Sequence, residues 1–144
     1  MKAIMFPVLA LAAALSPAHA GTDGEVLKKA GLLGSWAFNC AKAPDAGNAH
    51  LVYEAPAKGA PTEHVSMGQL ERVSTISNVV QLDGGKVKWT LSGQAGDLAI
   101  VNLVEGDKLR TWSSSGDEGA FIADGKFVGG DVTPWFNRCK APRK

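Results

Sequence analysis

Only two cysteines occur in this chain, Cys40 and Cys139, and they bracket nearly all of the sequence that could form a folded domain. Two cysteines allow a single intramolecular pairing. They cannot complete a structural zinc site on their own, and no histidine lies at ligand spacing from either. We therefore predict one disulfide bond between the two ends of the domain, with two free thiols or a metal pair as the alternatives. For a loop of about 100 residues, the chain-entropy model assigns such a bond about 4 to 5 kcal/mol.

The start of the chain has the pattern of a secretory signal peptide. A positive charge at Lys2 precedes an apolar stretch at 3–15, and small residues two apart end at Ala20. We predict a signal peptide over residues 1–20 and a single mature domain over 21–144. The apolar stretch is shorter than the roughly 20 residues of a membrane span. We therefore expect a bacterial protein that is periplasmic or secreted and has no membrane span.

The pattern of apolar residues predicts one helix followed by strands. Asp23 is predicted to cap a helix over Glu25–Leu33, where apolar residues recur at helical spacing. From Trp36 onward the period becomes two, which is typical of strands with one buried face. The high content of glycine, 17 residues, favours turns between strands over further helices.

Eight to ten short strands follow, and none of their connections has a helical pattern. Connections without helices favour antiparallel pairing. Asp124-Gly125 is the strongest two-residue hairpin signal. The segment Leu70–Leu82 is long for one strand, and we expect a bend or bulge near Ser74 or Ser77.

The position of the cysteines favours a closed barrel over a sandwich. In an up-and-down barrel the first and last strands are neighbours, and Cys40 and Cys139 are predicted to end those two strands. We therefore predict an all-β fold, an antiparallel barrel of about eight strands with a short N-terminal helix and its ends joined by the disulfide. If both cysteines share one face, alternation places Trp36, Trp135 and Asn137 on it as well. We expect the two tryptophans to lie inside, near each other.

The segment Leu32-Leu33-Gly34-Ser35-Trp36 follows the predicted helix and opens the first strand. It resembles the Gly-x-Trp opening shared by lipocalins and other calycins, among them the avidin-type and bacterial metalloprotease-inhibitor barrels; the lipocalin Thr-Asp-Tyr segment is absent. The resemblance implies that Gly34 lets the helix turn tightly into the strand and that Trp36 plugs one end of the barrel, often under a late arginine. Arg138 is the best late arginine, but the shared-face argument puts it opposite the tryptophan, so Arg110 is the alternative.

The charge balance and the motifs argue against several classes of function. Lys and Arg number 15 and Asp and Glu number 14. Without Lys2 the predicted mature chain is formally neutral, so it has no basic surplus for binding nucleic acid. The sequence contains no Gly-x-Ser-x-Gly elbow and no His-Glu-x-x-His motif. We predict a protein that is not an enzyme, with no catalytic residue, no cofactor, no metal site and no nucleic-acid partner.

Aromatic side chains are the best candidates for ligand binding, because they offer large apolar areas and stacking surfaces. The interior of a barrel of about eight strands can hold one small ligand. We predict a non-catalytic exported protein that binds a small, partly apolar ligand in the mouth of its barrel. The candidate ligand-binding residues are Tyr53, Arg110, Trp112, Trp135 and Asn137.

A protein-interaction module is the alternative. Such a protein would inhibit an exported hydrolase or act as an accessory protein of the cell envelope. It would bind its partner through the arm Gly21–Asp23 or through a polar loop at Ser113–Gly119. Carboxylates scattered along the chain, such as Glu54, Glu63 and Glu71, leave a hydrolase as a third alternative.

Overall fold

The structure is a computed structural model that describes residues 22–140 as one helix and ten strands. The predicted signal peptide over residues 1–20 lies outside the described residues. Within 22–140, no helix has the length and apolar character needed to cross a membrane. In chain order the elements are α1 (Asp23–Lys29), β1 (Gly34–Ala37), β2 (His50–Glu54), β3 (Thr62–Met67), β4 (Leu70–Gln81), β5 (Lys86–Gly93), β6 (Gly96–Glu105), β7 (Lys108–Gly116), β8 (Gly119–Ala123), β9 (Lys126–Phe127) and β10 (Phe136–Cys139).

The strands form a closed antiparallel barrel, as predicted. Strands β1 to β7 are neighbours in chain order, and β10 pairs with β7 on one side and with β1 on the other. These eight strands make the ring. The remaining two, β8 and β9, form a hairpin that pairs with the end of β7 and lies outside the ring.

A disulfide bond joins Cys40 to Cys139, as predicted, with 5.4 Å between their Cα atoms. Cys139 is the last residue of β10, and Cys40 follows β1. The bond therefore crosses the seam of the barrel, by which we mean the ladder between β10 and β1.

Trp36 lies inside the barrel, as predicted, but the predicted faces of Trp135, Asn137 and Arg138 are wrong. Trp36 is paired with Arg138, so these two side chains share the inner face of the barrel. The shared-face argument failed because β1 ends at Ala37, so strand alternation does not extend to Cys40. Phe136 faces the interior of the barrel. Trp135, the residue before it, packs against Arg110 on the outside of the barrel, away from Trp36.

Helix α1 begins and ends earlier than predicted. Thr22, not Asp23, is the N-cap, and it forms a capping box with Glu25. Asp23 instead accepts hydrogen bonds from the backbone amides of Asn78 and Val79 in β4, at 3.1 and 2.9 Å. The Asp23 carboxylate therefore attaches the helix to the sheet, whereas an N-cap would bond only within its own helix.

Strand β4 contains the irregularity predicted near Ser77. Its pairing with β5 shifts register between Ser77 and Val80, and Asn78 between them has a φ of 55°. The predicted hairpin turn at Asp124-Gly125 is also present, between β8 and β9, and both of its residues have positive φ. Such a pair of conformations matches the twist of the strands on either side.

Apolar side chains fill the part of the barrel interior next to α1. Leu27 of the helix and Leu32 beyond it belong to this core, so the helix covers one end of the barrel. The largest fully buried side chains are Trp36, Trp89, Tyr53, Leu27, Leu32, Ile76, Leu109 and Val87.

Candidate ligand-binding site

A cavity of about 210 Å³ occupies the part of the barrel interior that the core does not fill. Seven of the eight ring strands and the hairpin strand β8 contribute to its wall. Seven of the thirteen lining side chains are apolar, and six carry a polar or charged group. The lining residues are Leu51, Tyr53, Glu63, Val65, Arg72, Leu91, Leu98, Ile100, Asn102, Thr111, Ser114, Ile122 and Phe136.

Three buried polar side chains in this wall are hydrogen-bonded to one another, and we call them the cavity network: Tyr53, Glu63 and Asn102. The hydroxyl of Tyr53 donates to Oε2 of Glu63 at 2.8 Å. Nδ2 of Asn102 donates to the same hydroxyl oxygen at 3.3 Å. A phenol has one proton to donate, and with that proton on Glu63 the Tyr53 oxygen is free to accept from the Asn102 amide.

Asn102 is buried, with 2% of its surface exposed. Its amide oxygen has no hydrogen-bond partner among residues 22–140. Buried polar atoms in folded proteins almost always have a partner, so each exception calls for a reason. The cavity network therefore has one acceptor, the Asn102 oxygen, for which it supplies no donor.

The ionisable members of the cavity network have shifted pKa values. Burial raises the pKa of the Glu63 carboxyl, while the hydrogen bond from Tyr53 and the nearby charge of Arg72 partly oppose the rise. Burial also raises the pKa of Tyr53 well above its ordinary value, and the Glu63 carboxylate beside it adds to that effect. Removal from water disfavours the charged form of each group. Such perturbed groups inside a cavity are typical of functional sites.

We expect the E63Q variant to become more stable than the wild type as the pH rises. Because the folded pKa of Glu63 is raised, its ionisation lowers the free energy of unfolding between the unfolded value of 4.5 and the raised folded pKa. The variant keeps a side-chain oxygen for the Tyr53 hydroxyl and has no charge to bury. Urea unfolding of both proteins from about pH 4 to about pH 8 measures the difference.

Glu71 provides the matched control on the neighbouring strand. Hydrogen bonds from Ser66 and His64 lower its pKa, so this group stabilises the fold above the unfolded pKa and that contribution is lost as the pH falls. The E71Q variant is therefore expected to be less stable than the wild type at neutral pH and to approach it on acidification. A difference between E63Q and wild type that does not change with pH would contradict the assigned effect of burial.

Of the five side chains that sequence analysis proposed for ligand binding, Tyr53 lines the cavity. The other four lie on the outside of the barrel. Thr111 faces the cavity, so alternation along β7 turns Arg110 outward. Asn137 is also outside, where it donates to the carbonyl of Phe38 at 2.8 Å and accepts from Lys108.

The outward-facing aromatic residues form an outer cation–aromatic cluster: Lys86, Arg110, Trp112 and Trp135. The guanidinium carbon of Arg110 lies 5.2 Å from the ring centre of Trp112 and 4.8 Å from that of Trp135. Gly125 of the hairpin turn packs on the same ring, and a Cβ there would lie 3.3 Å from Trp112. These contacts attach the β8–β9 hairpin to the wall of the barrel, which is a structural role.

The structure places Gly34 and Trp36 at the end of the barrel next to α1. Gly34 has a φ of 116°, a conformation that L side chains rarely adopt, and it carries the chain from the helix into β1. Nε1 of Trp36 donates to the carbonyl of Leu32 at 2.8 Å. The guanidinium of Arg138 lies 4.1 Å from the centre of the Trp36 ring. The late arginine over the tryptophan is thus Arg138, and Arg110 lies elsewhere.

Two members of the cavity network, Glu63 and Asn102, were not among the ligand-binding candidates from the sequence, where Glu63 appeared only as one of the scattered carboxylates. Asn102 did carry a signal, because it is the one strongly polar side chain in the apolar run Leu98–Val104. A polar residue in such a run has to find partners after it is buried. Glu63 carried no comparable signal, since charged residues alternate with apolar ones on many exposed strand faces.

Comparisons with protein-family models, with curated proteins and with solved structures found no match for this chain. Among the described residues 22–140, no group of three or more His, Cys, Asp and Glu side chains is placed to hold a metal ion.

Proposed function

We propose that the protein is an exported, non-catalytic binding protein that holds a small, partly apolar ligand inside its barrel. The observation that carries the proposal is the cavity of about 210 Å³ with the cavity network in its wall. An apolar lining with a few convergent polar groups is the usual composition of a small-molecule site. The disulfide is compatible with an oxidising compartment outside the cytoplasm.

The size of the cavity limits the ligand to a small molecule. An engineered apolar cavity of about 150 Å³ in another protein binds benzene, and drug-sized ligands occupy about 300 to 1,000 Å³. A cavity of about 210 Å³ therefore suits a one-ring or two-ring aromatic compound or a short aliphatic chain. Lipids and oligosaccharides are too large to be enclosed.

The lining favours recognition over catalysis. Its hydroxyl groups are those of Tyr53, Thr111 and Ser114, and none of the lining residues is a histidine. A serine or threonine nucleophile needs a neighbouring base to become reactive. Glu63 is the only carboxyl group in the lining, and the Tyr53 hydroxyl already occupies one of its oxygens.

Native mass spectrometry of the protein purified from its own host tests the proposal. We expect a bound species of low molecular mass, released when the protein unfolds. Bare protein mass in every preparation, together with a crystal structure in which water alone fills the cavity, would contradict it.

A variant that fills the cavity is expected to lose binding without losing the fold. Leu98 lines the cavity, and Leu98→Trp adds volume on the inner face. We therefore expect the affinity for the ligand to fall about tenfold. The next residue, Ala99, is exposed, and Ala99→Trp adds the same side chain to the outer face as the matched control. Titration of each variant with the ligand recovered from the wild type measures the effect. Equal loss in both variants would contradict binding inside the barrel.

An interaction with another protein is the second candidate, and exposed apolar side chains on the hairpin segment favour it. Phe121, Phe127, Val128 and Val132 are 43 to 80% exposed. The polar loop that sequence analysis proposed for this role is shorter than expected, because Ser113–Gly116 belongs to β7 and only Asp117 and Glu118 form the turn. A stoichiometric partner recovered from extract, and lost in a variant with polar residues at the four positions, would favour this candidate.

A further inference from the structure

We infer that the ligand carries an N–H or O–H hydrogen-bond donor at its buried end and that the amide oxygen of Asn102 accepts it. The inference rests on the proposed function, since it names the chemistry of a ligand in the same cavity. It excludes two kinds of ligand: those whose polar groups only accept hydrogen bonds, and pure hydrocarbons.

A count of donors and acceptors in the cavity network leads to this inference. The single proton of Tyr53 goes to Glu63, and the hydroxyl oxygen receives Nδ2 of Asn102. The oxygen of Asn102 is then left without a partner among residues 22–140. Only a donor can complete it, because an amide oxygen accepts and does not donate.

The surroundings of Asn102 argue for a ligand that is apolar apart from its donor. The apolar part of the cavity lining includes Leu91, Leu98 and Ile100. An anionic ligand end at this depth would face the oxygen of Asn102 and the carboxyl of Glu63, which are both acceptors. Arg72, the one basic residue in the lining, is exposed and so lies toward solvent. A carboxylate is therefore a poor match for the buried end of the cavity.

Two other buried polar atoms without a partner among the described residues do not alter the count. Nε of Arg110 belongs to a side chain on the outside of the barrel, against Trp135, and is not part of the cavity lining. Nε1 of Trp89 lacks a hydrogen-bond partner within residues 22–140, but Trp89 packs in the core and is not part of the cavity lining. Its ring meets Tyr53 edge-on, with 5.8 Å between the ring centres. The unpaired atom that a ligand in the cavity could meet is the oxygen of Asn102.

Indole and benzothiophene provide a matched pair of probes. The two molecules have nearly the same shape and apolar area, but only indole has an N–H donor. We expect calorimetric titration of the full mature chain to show indole binding about tenfold more tightly than benzothiophene, the usual effect of one hydrogen bond to a buried group. Equal affinities would overturn the inference and leave the proposed function standing. Binding of neither compound would contradict the proposed function and the inference with it.

The Asn102→Leu variant locates the preference within the cavity. It replaces the amide by an apolar side chain of similar size, so the preference for indole is expected to disappear while benzothiophene still binds. Thr90→Val, which removes a polar group from the outer face of the neighbouring strand β5, is the control and should keep the preference. A preference that survives in the Asn102 variant would overturn the role of this residue. Should that variant fail to fold, the wild-type comparison of the two probes decides the inference by itself.

Discussion

Replacing both cysteines by serine, as C40S/C139S, is expected to lower the free energy of unfolding by about 4 to 5 kcal/mol. The disulfide closes a loop with a sequence separation of 99 residues, and in the chain-entropy model a long loop gives a large effect because it restricts the unfolded chain most. A domain of this size is typically stable by only about 5 to 15 kcal/mol. We therefore expect the variant to be marginally folded at physiological temperature.

The non-covalent part of the seam gives this expectation a structural reason. Strand β10 has four residues, of which three are paired with β1 and two with β7. Strands β1 to β7 pair in the order in which they follow one another along the chain, whereas β10 and β1 come together from opposite ends of the domain. Without the covalent bond, these few ladder pairs and the side-chain contacts of Asn137 and Arg138 hold the last strand.

Urea unfolding of the oxidised wild type, the reduced wild type and C40S/C139S measures the effect. The last two should agree, because both lack the same bond. Hydrogen exchange should show the amides of β1 and β10 losing protection before those of β4 to β6. A double variant within about 1 kcal/mol of the oxidised wild type would contradict the expected dependence of ring closure on the disulfide.

Replacing Trp36 by alanine is expected to cost about 3 to 5 kcal/mol. The side chain is fully buried, donates a hydrogen bond to the carbonyl of Leu32 and lies under the guanidinium of Arg138. That guanidinium also donates to the carbonyls of Gly31 and Leu33, while its Nε donates to Asp107 at 3.0 Å. Trp36 therefore supports the residues that close this end of the barrel as well as the core beneath them.

Two further variants make this prediction specific. W36F keeps an aromatic ring in the core but leaves the carbonyl of Leu32 without its donor, so a smaller loss of about 1 to 3 kcal/mol is expected. Trp112→Ala is the control for tryptophan removal from the outer face, and its loss should be smaller than that of W36A. Chemical unfolding of the three variants gives the order. An equal loss of stability in W36A and Trp112→Ala would contradict the distinction between the buried Trp36 and the outer cation–aromatic cluster.

Local patterns were sufficient to predict the main features of this fold. Alternation of apolar residues predicted the strands, Asp124-Gly125 predicted a hairpin that is present, and the excess length of Leu70–Leu82 predicted the bulge found after Ser77. These features depend on neighbouring residues and on the period of the side chains. The barrel and its disulfide could be predicted because two cysteines allow one pairing and an up-and-down sheet has one way to close.

Faces at strand ends could not be predicted in the same way. Alternation holds only while a segment remains a strand, and β1 ends at Ala37, three residues before Cys40. The face of Cys40 therefore does not follow from the face of Trp36, and the face of Cys139 does not follow from that of Cys40. Extending the alternation past Ala37 placed Arg138 on the wrong face, although the structure pairs it with Trp36.

The candidate site was the part least visible in the sequence. Tyr53, Glu63 and Asn102 come from β2, β3 and β6, and their hydrogen bonds exist only when the barrel has brought these strands together. Aromatic residues were predicted to bind the ligand because ring stacking is a frequent means of binding. Trp112 and Trp135 instead stack on Arg110 outside the barrel. A bulge between β6 and β7 decides which face of β7 an aromatic side chain takes. No local sequence pattern predicts that bulge.

Strand β7 changes partners along its length: its first residues pair with β10, and its last pair with β8. Between these two ladders, the hydroxyl of Thr133 and the amide of Gly125 bond the carbonyls of Thr111 and Trp112. The hairpin thus adds Ile122 to the cavity wall without taking part in closing the ring. Changes of sequence in that hairpin are therefore expected to alter the wall of the cavity while the ring of eight strands stays closed.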